Sequence, residues 1–288
     1  MTVAGVVRVA PITDADVPAV ADFLHVNLND RVSAGHWAEA LDVPWEVERP
    51  NTGFMLLDEG IVVGVQLAFY SERLIDGCHE RFCNLGAWCV LPDYRFHGLR
   101  LLKSALDQEG YHFTDLSPSG NVVDINSRLD FRFLDTSTFL VPNLPWPGTG
   151  GATISSDPGV IERALEGRDL QLYRDHATAA AARHLVLIKG GDSCYVVFRK
   201  DPWKRLRAFA TVLHVGNPAL YRELAGPLAR HLLIHHGAVG TLVEPRIVGH
   251  RPRHSVAIRS PRRKMFRSDD LAPAQVDYLY SELVCVAW

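Results

Sequence analysis

The stretch Leu85-Gly86-Ala87-Trp88-Cys89-Val90-Leu91-Pro92-Asp93-Tyr94-Arg95-Phe96-His97-Gly98-Leu99-Arg100-Leu101-Leu102 carries the clearest chemistry in the chain. An apolar run is broken at Pro92, and a short segment containing Gly98 leads straight into residues with helical spacing. Such a junction is an anion site. The first N–H groups of a helix have no partner within it, and the helix dipole is positive at that end. A pyrophosphate can be cradled there by backbone donors with no cation required, and Gly98 lets it approach the main chain closely. Other constellations carry less. The five cysteines, Cys78, Cys83, Cys89, Cys194 and Cys285, are an odd number without a C-x-x-C pair, which suggests neither a disulfide framework nor a structural zinc site. Cys83 and Cys89 lie in the apolar run, where a thiol is inert more often than reactive. His231 and His235 have the i, i+4 spacing of zinc enzymes, but Leu232 stands where those enzymes carry a Glu. Ser117-Pro118-Ser119-Gly120 lacks the Gly-x-Ser-x-Gly form of a hydrolase elbow.

The elements that must position the junction can be read on either side of it. Val6 to Ala10 reads as a strand, and Thr13-Asp14-Ala15-Asp16 as a helix start with acids in its first turn. Trp37 to Asn51 reads as a loop. Gly53 to Asp58 and Ile61 to Tyr70 form a hairpin turning at Glu59-Gly60, followed by a strand from Phe82 to Leu91. Leu99, Leu102 and Leu106 are spaced as on a helix, and Phe113 to Leu116 returns as a strand. Pro142 to Gly151, with three prolines, is the best boundary between halves. Beyond it Val160 to Leu165 reads as a helix, His184 to Ile188 and Cys194 to Phe198 as a hairpin, and Ala208 to Val215 as a strand. Asn217-Pro218 then opens a helix from Ala219 to His235, and Ala238 to Val243 is a strand again. The order partly recurs, so the second half is expected to be a degenerate copy of the first or an independent α+β domain.

A strand ending in Val90-x-Pro92-x-Tyr94-Arg95-x-x-Gly98 resembles the pyrophosphate-binding motif Arg/Gln-x-x-Gly-x-Gly/Ala of the GNAT superfamily of acyl-coenzyme A N-acyltransferases. Arg95 and Gly98 match. Arg100 stands where the family has a small residue, and its side chain either adds a contact to phosphate or fills the site. The resemblance covers about Val6 to Leu134. It implies an α+β fold of the α/β/α GNAT-like kind, a mixed central sheet with a splayed strand pair and flanking helices. It also implies that the strand near Trp88, Cys89 and Val90 meets the pantetheine arm and polarises the thioester carbonyl with backbone N–H groups. Arg95, Phe96, His97, Gly98, Leu99, Arg100 and Leu101 would hold the pyrophosphate. Asn121 to Phe131 resembles the family's helix Asn-x-x-Ala…Tyr-x-x-x-Gly-Phe, which adds Asn121 to the coenzyme A contacts. The same alignment puts Asn126 where many members have the tyrosine that protonates the departing thiolate. Asparagine cannot be that acid, so Tyr111, His112, Tyr94 or a water has to serve. For the base, which the family takes from an acidic side chain on or near this strand or from a water chain, Glu80, His79 and Asp115 are the candidates. Glu80 and His112 are carried forward as the catalytic residues.

Composition sets the outer bounds. Hydrophobic residues at 47 % and charged residues at 22 % suit a globular chain with a sizeable core and exclude disorder of the whole. Thirty basic against thirty-three acidic residues give a net charge of -3, so there is no global field for nucleic acid or an anionic membrane. The basic stretch from His250 to Arg267 reads as a solvated loop and strand edge. No charged n-region precedes an apolar stretch, and no apolar run reaches the roughly 18 residues that span a bilayer, so a reducing cytoplasm is expected. The expected organisation is a GNAT domain over 1–141, a linker over 142–151 and a degenerate copy over 152–288. In that copy Val215 to Arg222 takes the motif's position without Arg-x-x-Gly-x-Gly, so its expected role is to close the acceptor side of the cleft. The expected activity is transfer of an acetyl or other short acyl group from acyl-coenzyme A to a small amine, such as an amino sugar or amino acid, directly within a ternary complex. A catalytically degenerate regulatory or assembly subunit is the alternative. Acyl-coenzyme A, the amine and a second copy of the chain are the expected partners, without metal, nucleic acid or membrane.

Overall fold

The computed structural model describes residues 7–147, 151–203 and 206–287; Val6 of the expected first strand and 148–150 of the expected linker lie outside them. The chain divides into two units, one made of Met1–Leu134, Arg263–Val276 and Tyr280–Trp288, the other of Asp135–Arg262 and Asp277–Leu279.

The first unit begins with β1 (Arg8–Pro11), a 3-10 turn, and helices α1 (Val17–Asn27) and α2 (Ala34–Leu41). Helix α2 occupies part of what reads as a loop. The Ser33 side chain accepts from the His36 N–H, and Trp37, Ala40 and Leu41 are buried on one face, so a cap and a short apolar stripe suffice where charge and proline obscure the pattern. Strands β2 (Gly53–Asp58), β3 (Ile61–Ile75) and β4 (Cys78–Val90) form a meander. Both of its turns have two successive positive φ angles, Glu59-Gly60 and Asp76-Gly77, which match the twist of the flanking strands. A 3-10 turn over Pro92–His97 runs into α3 (Gly98–Leu106), then β5 (His112–Asp115), α4 (Val122–Ser127) and β6 (Arg132–Phe133). Leu85, Cys83, Tyr70 and Ala68 pack against Leu102 and Ala105 of α3 and Val123 of α4, which fixes these helices on one face of the sheet.

The second unit contains β7 (Phe139–Pro142), β8 (Ala152–Ser155), α5 (Pro158–Ala164), α6 (Gly167–His176), β9 (Arg183–Lys189), β10 (Asp192–Trp203) and β11 (Leu206–Val215). After these come α7 (Pro218–Glu223), α8 (Ala225–His236), β12 (Gly240–Val243), α9 (Pro245–Val248) and β13 (Val256–Ala257). The expected single helix over Ala219 to His235 is broken at Leu224. Pro227 lacks an N–H and its ring would collide with the Glu223 carbonyl in an unbroken helix. The chain then returns to the first unit as β14 (Met265–Arg267) and α10 (Glu282–Cys285).

The first sheet has the order β1-β2-β3-β4-β5-β14-β6 and the second β8-β9-β10-β11-β12-β7-β13. The two are the same pattern, down to a sixth strand that comes from outside the run of the other six. In each, the fourth and fifth strands are parallel and are joined through helix.

Candidate active site

The parallel pairing of β4 with β5 ends at Asn84 and Thr114, while β4 continues to Val90 and β5 is held on its other side by β14. The two strands therefore part and leave one edge of β4 unpaired with β5. The Asn84 side chain closes the crotch of this fork, donating to Thr114 Oγ1 at 3.0 Å and accepting from the Glu282 N–H at 3.1 Å. Just beyond it β4 carries a bulge. Gly86 pairs with Leu67 and Cys89 with Val65, so β4 has one residue more than β3, and Ala87 takes φ +47°. A bulge residue drops out of the ladder. The buried Gln66 amide fills part of the gap, donating to the Gly86 carbonyl at 2.9 Å.

Two carboxylates meet at the fork. Asp115 ends β5 and accepts from the Asn126 amide at 2.8 Å; Glu282 begins α10, is fully buried, and accepts from the Ser117 hydroxyl at 2.7 Å. Ser117 joins them, since its N–H lies 3.4 Å from Asp115 Oδ1. The Glu282 side chain lies over Gly86, where a carbon in the place of a side chain would be 3.2 Å from Glu282 Cβ. Burial, then the neighbouring Glu282 charge, raises the Asp115 pKa to about 7 against the bonds from Asn126 and Ser117. A group poised there accepts or gives a proton near neutrality. Glu282 is the residue that reading the sequence missed. Its one signal is a lone acid inside the apolar run Tyr278 to Val286.

Trp88 and Val90 lie on the α3 face of β4, and a carbon at Gly98 in the place of a side chain would sit 3.5 Å from both. The indole thus lies between the fork and the start of α3. Its Nε1 is buried and has no hydrogen-bond partner among the described residues. Cys89 points to the other face, its thiol 3.6 Å from the Asn27 carbonyl, and burial raises its pKa. The Cys83 thiol is pushed up to about 12 by burial, which suits packing and not nucleophilic attack. Around the helix start Arg95, Phe96 and Leu99 are exposed, His97 is half-buried and Leu101 is fully buried. The first turn of α3 holds no acid, and Arg95 and His97 precede it. The Arg100 guanidinium donates to the Val7 carbonyl at 3.0 Å and lies 3.2 Å from His97 Nδ1. Asn121 is exposed at the start of α4, and the buried Asn126 five residues on reaches the fork. Tyr94 donates to Asp58 at 2.6 Å.

Glu80 and His112 do meet, at 2.9 Å, but on the stretch of β4 and β5 before the fork. At about 3.3 Å per residue, Glu80 is on the order of 25 Å along the strand from Trp88. His79 is likewise at that end, bonded to Glu72.

The matching junction of the second unit, from β11 into α7, carries an anion of its own. A carbon at Gly216 in the place of a side chain would lie 1.9 Å from an Asp169 carboxylate oxygen, and His214 Nε2 is 3.5 Å from the same carboxylate. Asn217 caps α7, accepting from the Leu220 N–H. Among the described residues no group of three or more His, Cys, Asp or Glu could hold a metal ion, and no helix is long and apolar enough to cross a membrane.

Solved structures similar to this chain include a GCN5-related N-acetyltransferase from Anabaena variabilis, with TM-score 0.58 and 9 % identity over 91 % of this chain and 72 % of that one. One from Kribbella flavida gives TM-score 0.57 and 15 % identity over 93 % and 72 %. Saccharomyces cerevisiae N-myristoyltransferase, solved with bound myristoyl-CoA, gives TM-score 0.52 and 8 % identity over 96 % and 84 %. No family model and no curated protein sequence matches the chain. The likeness is one of fold: the chain has the α+β fold of the GCN5-related N-acetyltransferases, with two mixed sheets flanked by helices.

Proposed function

We propose that the first unit transfers an acyl group from acyl-coenzyme A to a small primary amine. The observation that carries this reading is the buried Asp115–Glu282 pair at the point where β4 and β5 part, in a fold shared with acyl-coenzyme A enzymes. The pyrophosphate would lie at the start of α3, held by backbone N–H groups of Gly98 to Leu101 with Arg95 and His97 beside them. Phe96 just precedes this place and Asn121, at the start of α4, would reach toward it, while the Arg100 guanidinium is turned to the Val7 carbonyl. The pantetheine arm would run past Trp88 to the free edge of β4. A buried indole N–H without a partner costs about 1–3 kcal/mol, and an amide carbonyl of pantetheine is an acceptor of the right kind.

The chemistry follows from the two faces of β4. Donor enters on the α3 face, and the amine on the face where Glu282 and Cys89 lie. The carboxylate pair takes a proton from the ammonium and releases it to solvent; the neutral amine attacks the thioester carbon, the carbon–nitrogen bond forms, the attacking nitrogen gives its second proton to the pair, and the carbon–sulfur bond breaks as the tetrahedral intermediate collapses. Backbone N–H groups around the Ala87 bulge face the developing oxyanion. Since Asn126 is no acid, the proton held by the pair returns to the thiolate through Ser117 or water. Glu80 and His112 are read as an ion pair that secures the strand ends. The second unit, whose junction is filled by Asp169, is read as a copy without donor binding. An amino sugar or amino acid is the expected acceptor class. A second reading, a donor-binding subunit without turnover, draws on the placement of α10 in the fork.

Calorimetric titration with acetyl-coenzyme A, paired with a thiol-release assay over small amines, tests this. Micromolar binding, weakened in Trp88→Phe while that variant's apo stability holds or rises, together with thiol release supports the enzyme. Binding without release on any amine supports the subunit. A folded protein that does not bind the donor sinks both.

A further inference from the structure

The second unit contains a cavity of about 670 Å³ that plays no part in the chemistry above. It lies between α7 and α8 on one side and β7 and β12 on the other, with the loop after α9 at its mouth. Its inner wall is made by Val141, Tyr221, Leu228, Leu232 and Val243, which belong to or border the core of the unit. Of the polar groups of that wall, the Tyr221 hydroxyl makes no hydrogen bond among the described residues, and the Thr241 and Asn143 side chains are engaged with each other and with the main chain. Thr241 donates to Asn143 at 2.9 Å, and Asn143 donates to the Ala238 carbonyl at 2.8 Å. Apart from that one hydroxyl the interior has little to offer a polar ligand, and a polar group entering it elsewhere would lose its water without compensation.

The mouth differs. Arg222 and Arg253 are exposed there and make no ion pair among the described residues, while the one acid beside them, Glu223, is engaged by Lys189. Leu144 and Trp146, 46 % and 43 % exposed, extend the apolar surface outward past these cations. An apolar chamber with unpaired guanidinium groups at its entrance is complementary to one shape of ligand. Volumes of roughly 300–1,000 Å³ are those of small-molecule sites. Coenzyme A does not fit the pattern, because Asp169 holds the phosphate's place at the β11–α7 junction.

We propose that this cavity binds a single-chain anionic amphiphile, an unbranched alkyl chain in the chamber with a carboxylate or phosphate head between Arg222 and Arg253. The site is independent of the acyl-transfer reading of the first unit. The head group is bound by charge and the chain by burial, so the two contributions separate experimentally.

The test is titration of the full-length protein, below micellar concentrations, with octanoate, decanoate, dodecanoate, dodecyl phosphate and dodecan-1-ol. Affinity should rise about fourfold per methylene along the carboxylates. Dodecan-1-ol should bind at least about tenfold more weakly than either dodecyl anion. The surface double variant Arg222→Glu/Arg253→Glu should lose that anion preference while binding the alcohol as before. Ala229→Trp, which fills the chamber, should abolish binding of all five. If Ala229→Trp fails to fold, the charge variant still decides. No binding of dodecanoate, affinity independent of chain length, or an anion preference untouched by the double charge reversal would each overturn the proposal.

Discussion

A carboxyl group buried beside a second one is favoured in its protonated form, and at Asp115 this reaches stability as well as chemistry. Its folded pKa of about 7 stands above the ordinary 3.8, so the folded state holds the proton more tightly than the unfolded chain. That contribution is fully present below pH 3.8 and is lost as pH rises to about 7. Above it the unit folds around a buried charge. Asp115→Asn can keep the bond from Asn126 through its amide oxygen and removes the repulsion from Glu282. Urea unfolding should show the wild type losing stability between pH 4 and 7 relative to the variant, which at pH 8 should be more stable by about 1–3 kcal/mol. Acyl transfer should fall at least a hundredfold, the scale of general acid–base catalysis. A variant less stable than wild type at pH 8 would remove the buried-charge argument; one with undiminished turnover would remove the base. Asp115 could be picked out beforehand because it ends a readable strand beside the motif. Glu282 could not, since its bond to Asn84 spans 198 residues and a four-residue helix has no period to detect.

Among the elements, the passage from β4 into α3 was the most legible. A long apolar strand, a proline that ends it and leucines at helical spacing all act locally, and the structure places strand and helix within a few residues of the expected bounds. Helix α2 was not legible, because its apolar stripe is only three residues within a charged, proline-rich stretch. The fork was expected only through the family resemblance, as a splayed strand pair, and no local pattern marks it: it depends on where pairing stops, which Asn84 and α10 decide from a distance. The α3 junction also permits a test in which stability and binding move in opposite directions. Leu99 is 42 % exposed in a first turn that lacks an acid. Leu99→Glu adds a negative charge next to a positive helix end, an interaction worth roughly 0.3–1 kcal/mol. Thermal unfolding should therefore shift little or slightly upward. Titration with acetyl-coenzyme A should show at least about tenfold weaker binding, because the new carboxylate competes with the pyrophosphate for the same N–H groups. Equal affinity in a stably folded variant would place the pyrophosphate elsewhere.

Across the whole chain, the two sheets have matching strand orders although their strands are interleaved in sequence. Strand β7 follows β6 in sequence yet belongs to the second sheet; β14 follows β13 yet belongs to the first. Short strands of two to four residues carry no alternation long enough to assign them, which is why the sequence suggested a recurrence but not this arrangement. The consequence is an asymmetry in independence. Residues 135–262 contain every strand of the second sheet, lacking only Asp277–Leu279 and with them the bond from Tyr278 to Glu244. Residues 1–134 lack β14, whose Met265 is fully buried in the core and which pairs with both β5 and β6. Without it one edge of β5 is bare, β6 has no partner among the described strands, and the fork loses Glu282. An unpaired edge beside exposed core is a template for aggregation. Expressed separately, 135–262 should be soluble and unfold cooperatively, whereas 1–134 should lack fixed near-ultraviolet dichroism or aggregate. Joining 1–134 to 263–288 through a short Gly-Ser linker should restore the first fold, because the Leu134 N–H already bonds the Lys264 carbonyl at 3.0 Å. Cooperative folding of 1–134 alone would mean that β14 and α10 only decorate a finished domain, and the carboxylate pair would then be an addition to the site and not part of its frame.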